Sequence, residues 1–372
     1  MHHPLTYERR DAVLDGLARM WGHRPVVVDA QQVGHEWAPV TRLVFEHDEP
    51  VIVKTRRVDG VGHGGPAYLR REVAGLRTAE VSGVAARVLL ADDQAGVVVQ
   101  SDLGRWPTLE TVLLGDDPDR AAAAMVDFAR TIGRLHASTR DRRTDHELAL
   151  AEFGSADVTT GEEAGTGGID RWGVVETACA DLGLPDARSA RDDIAFVRRQ
   201  FDEPGPYAAL AHHDINPTNA LVTDHGVRLV DFEGARFGHI GFDVSFLHYP
   251  FPHYSAHWST LPEAIIRAAD DAYRGIVTLD GLDEAIAVGA AAALASRVLR
   301  LPLVARDDQS AHDSWRRRGQ IVQQIGVFGW LAERAGILPE LARWSRELAA
   351  AMTARWPDAT NPPPRLFPAF DR

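Results

Sequence analysis

Cysteine is nearly absent: the chain of 372 residues holds one, Cys179. No intrachain disulfide and no cysteine-based zinc site can form, and the setting expected is a reducing cytoplasm. Long apolar runs are missing too. The longest, Ala285–Ala295, is eleven residues of mostly alanine, against the roughly 20 that a membrane span needs. Met1–Arg10 carries charge and no apolar stretch of the kind a secretory signal uses, so a soluble, cytoplasmic protein is expected. Positive charge is in deficit, with 40 Lys and Arg against 53 Asp and Glu, a net charge of −13 and a pI near 5.6. Such a surface repels phosphate backbones and anionic headgroups, which argues against a general nucleic-acid or membrane-surface binder and suits a cationic small molecule. Lysine is scarce in this arginine-rich chain.

What is present is an ordinary globular composition, 45% hydrophobic and 25% charged, which excludes a disordered or fibrous chain. At roughly 100–200 residues per domain the length predicts two domains or lobes. The first hundred residues read as strand-rich. Pro25–Val28, Val40–Phe45 and Pro50–Lys54 are β-prone runs, the last bounded by the turn-like Glu46–Glu49. The Gly-rich, basic stretch Arg56–Gly65 reads as a loop. Tyr68–Glu80 has Leu69, Val73 and Leu76 at helical spacing, and Val88–Leu90 and Val97–Gln100 return to strand around the turn Ala91–Gly96.

After Gly104 the pattern turns helical. Ala121–Thr139 aligns Met125, Phe128, Ile132 and Leu135 on one stripe. Ser155–Gly168 reads as a loop, Ala178–Phe201 as a helix broken at Pro185, and most of Pro262–Ala354 as helix. Pro357–Arg372, with five prolines, is expected to be extended over the surface. The arrangement expected is α+β and bilobal, with a small β-rich lobe at 1–102 and a larger, mainly helical lobe at 103–372.

The chemistry concentrates in Ala211–Phe246. A polar loop, His212–Asn219, leads into a strand at Ala220–Val222, a turn at Thr223–Gly226 and a strand at Val227–Val230, followed by Asp231-Phe232-Glu233. Asp214 and Asn219 therefore fall near Asp231. Phosphoryl transfer needs a carboxylate to orient the attacking hydroxyl and oxygen ligands to hold Mg²⁺ against the phosphates. Asp214 is placed for the first task, and Asn219 and Asp231 for the second. A cation for the phosphates is offered by Lys54, at the end of an apolar strand, with Glu72 on the next helix as its partner.

The string His212-x-Asp214-x4-Asn219, followed by Asp231, resembles the signature of the aminoglycoside phosphotransferase and choline kinase family, small-molecule kinases of protein-kinase-like fold. Leu103-Gly104, the helix ending Ile132-Gly133-Arg134-Leu135-His136, and Gly241-Phe242-Asp243 are similar to further elements of that family in the same order. The resemblance, which spans about Val33–Leu247, implies an ATP- and Mg²⁺-dependent phosphotransferase acting on a hydroxyl of a small molecule. It implies Asp214 as the base, Asn219 and Asp231 as metal ligands, Lys54 braced by Glu72 on the phosphates, and the adenine against the backbone near Gln100–Asp102. It also implies that Asp243 steadies the loop around Asp214. An aminoglycoside-like antibiotic, a sugar or an amino alcohol is the acceptor class expected.

Other readings stand beside this one. No G-x-G-x-x-G joins the first two strands, only Gly34-His35-Glu36-Trp37, which leaves room for a catalytically inactive pseudokinase or scaffold module. The complete Lys, Glu, Asp, Asn, Asp set opposes it. His213 stands before Asp214 where protein kinases place Arg, which speaks against control by loop phosphorylation. His213-Asp214 also matches the HD pair of metal-dependent phosphohydrolases, but that chemistry wants a mostly helical setting with additional spaced His ligands, and here the pair precedes a strand hairpin. His253-x3-His257 has metal-pair spacing without a third ligand. The aromatic run Phe242, Phe246, Tyr249, Phe251, Tyr254, Trp258 either packs the core or lines an acceptor pocket, to which Asp313 and Trp315 can contribute.

Overall fold

A computed structural model of the chain describes residues 5–33, 40–55, 66–152, 168–249, 259–305, 314–360 and 365–371. The segments Gly34–Trp37 and Arg56–Gly65, nearly all of Ser155–Gly168, the pair His253 and His257, and Asp313 lie outside these residues. Helix α1 (Tyr7–Trp21) begins where the Thr6 side chain accepts the Arg9 amide. It ends at Gly22, whose left-handed backbone (φ 79°) lets its N–H reach Ala18 O. This helix was not anticipated from the sequence. Its Val13, Leu14 and Leu17 do lie one turn apart and are buried, but charged residues surround them.

Strands β1 (Val27–Gln32), β2 (Val40–Phe45), β3 (Val51–Thr55), β4 (Val88–Asp92) and β5 (Val97–Ser101) form an antiparallel sheet in the order β1-β2-β3-β5-β4. Helix α2 (Pro66–Ala79) connects β3 to β4. The sheet is covered on both faces, so β5 is a continuous apolar run rather than an alternating one. Val51, Val53, Val97 and Val99 pack with Leu14 and Leu17 of α1, while Val98 packs with Leu69 and Val73 of α2. Successive strand residues face opposite sides, and Lys54 pairs with Val98. Alternation therefore turns Lys54 toward α2, the helix that carries Glu72.

The rest of the chain is mainly helical. It runs through α3 (Leu109–Leu113), α4 (Pro118–Thr139), α5 (Arg143–Ala151), α6 (Trp172–Leu182) and α7 (Arg191–Asp202). Four short strands come next, β6 (Ala208–Ala211), β7 (Ala220–Thr223), β8 (Gly226–Leu229) and β9 (Arg236–His239), then α8 (Gly241–Ser245), β10 (Ser259–Thr260), α9 (Glu263–Arg274), α10 (Leu282–Val298), α11 (Leu301–Val304), α12 (Ser314–Ala335), α13 (Pro339–Arg355) and β11 (Arg365–Leu366). The molecule is thus α+β and two-lobed. The tail is pinned rather than loose: β11 pairs in parallel with β10, and Phe367 is buried. No helix among the described residues is long and apolar enough to cross a membrane.

Helices α4 and α10 hold the short strands and α8 in place. Strands β6 with β9 and β7 with β8 form separate two-stranded sheets, whose edges would leave backbone groups unpaired. Helix α4 answers them with side chains. Asp127 accepts the Val227 amide (2.5 Å), the Thr131 hydroxyl donates to Val227 O (3.3 Å), and the Thr139 hydroxyl accepts the Leu210 amide (3.1 Å). Helix α8 is held by the Ala-rich, buried α10. The backbones approach so closely that a Cβ at Gly289 would sit 1.9 Å from the Gly241 backbone.

Candidate active site

Register brings the two polar loops to one end of the hairpins. Ala211 pairs with Arg236 and Ala220 with Leu229, so loops 212–219 and 230–235 leave and re-enter the sheets side by side. They are also bonded directly. The Val230 amide donates to Asn219 O (3.0 Å), and His212 Nε2 donates to Val230 O (3.0 Å). With Nε2 the donor, His212 Nδ1 is free to accept the Asp214 amide (3.3 Å). This buried imidazole is thereby a strut between the two loops.

Asp214 is exposed, yet both its carboxylate oxygens are held. Asn216 Nδ2 donates to Oδ1 (3.1 Å) and Asn219 Nδ2 to Oδ2 (2.7 Å). Since a carboxylate only accepts, each amide must turn its nitrogen inward. The carbonyl oxygen of Asn219 is then directed away from Asp214. Asn216 is buried and uses its own carbonyl oxygen to accept the Thr218 amide (3.0 Å) and the Thr218 hydroxyl. Sequence reasoning passed over Asn216, although an Asn-Pro pair opening a turn is a capping signal.

Lys54 is the one lysine of the chain. Its ammonium is buried and lies 2.7 Å from Glu72 Oε1 and 2.7 Å from Asp231 Oδ1, joining the small lobe to the loop after β8. Gln100 Nε2 donates to the same Glu72 oxygen (2.9 Å), so this side chain serves the ion pair inside the small lobe. Asp102 is likewise engaged through its side chain: it pairs with Arg42 of β2 and accepts the Gly104 amide (2.8 Å). Helix α2 is tied to the second loop by Arg71, whose Nε donates to Glu233 O (2.9 Å). A Cβ at Gly75 would meet that of Ala235 at 2.7 Å, so glycine permits this approach.

Asp231 (φ 70°) and His213 (φ 59°) both adopt the left-handed region. Each is a non-glycine strained by about 1–2 kcal/mol, a cost that persists where surrounding contacts over-determine it. For His213 those contacts are visible. Asp243, fully buried on α8, accepts the His212 amide (2.6 Å) and the His213 amide (2.9 Å), and consecutive N–H groups converge on one anion only through such a turn. Asp243 is in turn bonded by His136 Nε2 (3.3 Å), and His136 Nδ1 accepts the Tyr273 hydroxyl (2.9 Å). Burial opposes the charge on Asp243, but the His136 hydrogen bond and neighbouring imidazoles hold its pKa below the usual carboxylate range.

The donor set fits Mg²⁺, which takes hard oxygen ligands and binds through one or two carboxylates. The Asp231 carboxylate and the Asn219 amide oxygen are of this kind, at the mouth of one hairpin. No cluster of three or more His, Cys, Asp or Glu side chains able to hold a metal occurs among the described residues.

Residues 29–284 match the phosphotransferase enzyme family (APH). The chain belongs to this family of phosphotransferase enzymes. No protein of curated function is matched by the sequence. Similar solved structures include the choline kinase of Cryptosporidium parvum, at 12% identity and a TM-score of 0.50, covering 90% of this chain and 99% of that one. A candidate aminoglycoside phosphotransferase of Ralstonia eutropha gives 16% identity and a TM-score of 0.50, over 92% of this chain and 98% of that one. At these identities the likeness is one of fold, and the two-lobed architecture is the kinase-like one.

Proposed function

We propose that the chain transfers the γ-phosphoryl group of ATP, with Mg²⁺, to a hydroxyl of a small molecule, with Asp214 as the base. The observation that carries this reading is the convergence at one hairpin end of Asp214, Asn219 and Asp231 with the buried Lys54–Glu72 pair. Asp214 orients the acceptor hydroxyl and takes its proton as the hydroxyl oxygen bonds to phosphorus and the bond to the leaving ADP breaks. Being exposed, the carboxyl then passes the proton to solvent. Asn216 and Asn219 fix the direction of the carboxylate beforehand, which is where most of the rate in such a transfer originates. Lys54 binds the α/β-phosphates, with Glu72 and Gln100 limiting where its ammonium can go. Asn219 and Asp231 hold Mg²⁺, which when bound neutralises phosphate charge.

The nucleotide lies between a lobe of residues 1–102 and one of residues 103–372, its adenine along the backbone of Gln100–Asp102. The acidic chain suits an aminoglycoside-like compound, and a sugar or an amino alcohol is the alternative acceptor. Of the aromatic run, Phe242 and Tyr249 are buried in the core with Phe246 packed against it, and Phe251, Tyr254 and Trp258 lie outside the described residues. One buried cysteine and no disulfide fit work in the cytoplasm.

The test is Mg²⁺-dependent ADP release with kanamycin A, D-glucose, choline and ethanolamine as acceptors, wild type beside Asp214→Ala. Release should need one acceptor and fall about 10²–10⁴-fold in the variant, with nucleotide affinity little changed. An unchanged kcat in Asp214→Ala would end Asp214's role. ATP binding without release under any condition would favour the pseudokinase.

A further inference from the structure

His213 has features that its backbone role leaves unexplained. Its N–H serves the Asp243 clamp, and glycine would meet that need at φ 59° without strain. A side chain is present nonetheless, and it is placed with care. The imidazole stacks on Phe242, ring centroids 5.1 Å apart and planes 22° apart, immediately beside Asp214. Burial, with the Arg236 guanidinium nearby, pushes its pKa down to about 3, so the ring is neutral, with one nitrogen a donor and the other an acceptor. Neither nitrogen has a hydrogen-bond partner among the described residues, and the residue as a whole is half-buried.

We infer that His213 is an acceptor-binding residue, whose neutral imidazole hydrogen-bonds a hydroxyl or amino group adjacent to the hydroxyl that Asp214 activates. The inference rests on the kinase reading above and deepens it. The acceptor class it names is a vicinal diol or a 1,2-amino alcohol, whether free or part of a sugar ring. A hydroxyl can engage both functions of a neutral imidazole, accepting from its N–H or donating to its bare nitrogen. An ammonium can use the bare nitrogen. The stack on Phe242 fixes the ring plane, so the direction of that bond is set before the acceptor arrives.

Two substitutions separate recognition from scaffolding. His213→Gly keeps the backbone clamp and relieves the left-handed strain while removing the ring. His213→Phe keeps a ring to stack on Phe242 and removes both nitrogens. For whichever of kanamycin A, D-glucose or ethanolamine the wild type phosphorylates, both variants should raise the acceptor KM about tenfold, the loss of one good hydrogen bond. Choline, whose quaternary ammonium has no N–H to donate, should be used equally well by wild type and variants. kcat and the Kd for Mg²⁺-ATP should move less than about threefold, and His213→Gly should melt no lower than His213→Phe. A wild-type KM for kanamycin A, D-glucose or ethanolamine in both variants would overturn the proposal alone. So would parallel loss of ATP affinity, the mark of a purely structural residue. A wild type that binds ATP and phosphorylates none of the four would defeat the kinase reading and this inference with it.

Discussion

At the scale of single residues the site is governed by side chains that hold other side chains. Lys54 shows why one of the 40 cationic residues is lysine when the rest are arginine. Its place is buried between Glu72 and Asp231, where one compact ammonium reaches both carboxylates at 2.7 Å. This was legible in the sequence, because an apolar strand ending in lysine and a helix glutamate both carry local patterns. Asn216 was not. Its value lies in what it touches, the Asp214 carboxylate and the turn at Thr218, and spacing alone marks it as a turn former. Asn216→Ala removes one of the two amides that aim Asp214 and uncaps the turn. It should lower kcat about tenfold and stability by about 1 kcal/mol. Asn216→Asp keeps the bonds to Thr218 but sets two carboxylates against each other, so it should be less active than Asn216→Ala. Steady-state kinetics beside urea unfolding would check both, and equal activity in all three proteins would remove Asn216 from the machinery.

At the scale of elements, the candidate site depends on helices that contribute nothing to it directly. Helix α4 lends Asp127, Thr131 and Thr139 to the short sheets, and its His136 links Tyr273 of α9 to Asp243 of α8. The sequence marks α4 by its apolar stripe, but the partners of His136 lie 107 and 137 residues away, beyond any periodicity. The same limit hid α1, whose apolar residues face the sheet from within a charged segment, and the side-chain use of Gln100. Helix α10 sets the position of α8 through bare backbone contact. Gly289→Ala places a methyl 1.9 Å from Gly241, so α8 must move. The expected cost is about 1–3 kcal/mol or more, with loss of turnover because Asp243 travels with α8. Gly326→Ala on α12 is the control. A Cβ there meets nothing within 4 Å, and the helix should gain about 0.5–1 kcal/mol. Thermal melting of the pair reads both signs, and a Gly289→Ala protein as stable as wild type would refute the backbone contact.

At the scale of the whole molecule, net charge and buried histidines pull stability in opposite directions as pH falls. With a net charge of −13 and a pI near 5.6, mild acidification relieves self-repulsion and by itself favours the folded state. Three imidazoles oppose it. Burial lowers the pKa of His146 to about 4, of His239 to about 4 and, with Arg236 nearby, of His213 to about 3. His239 stacks on Phe201, accepts the Gly241 amide (3.1 Å) and leaves Nε2 buried without a partner among the described residues. In the unfolded chain these groups titrate near 6.5. Between about pH 6.5 and 4 these three groups therefore bind more protons in the unfolded state than in the folded one, and their contribution to stability falls as pH falls. The histidine contribution is fully present above 6.5 and is lost on acidification. Asp270, for which the His248 and Arg274 interactions outweigh burial and hold the pKa at about 2, loses its contribution only in a second stage below about pH 4. The melting temperature should thus drop from pH 7.5 to pH 5, against the trend set by net charge. His239→Phe retains an aromatic ring beside Phe201 but cannot take a proton, so it should flatten the slope by on the order of 1 kcal/mol per pH unit. Melting temperatures that rise toward pH 5.6 in the wild type would mean that surface charge governs stability and that these histidines are not held neutral.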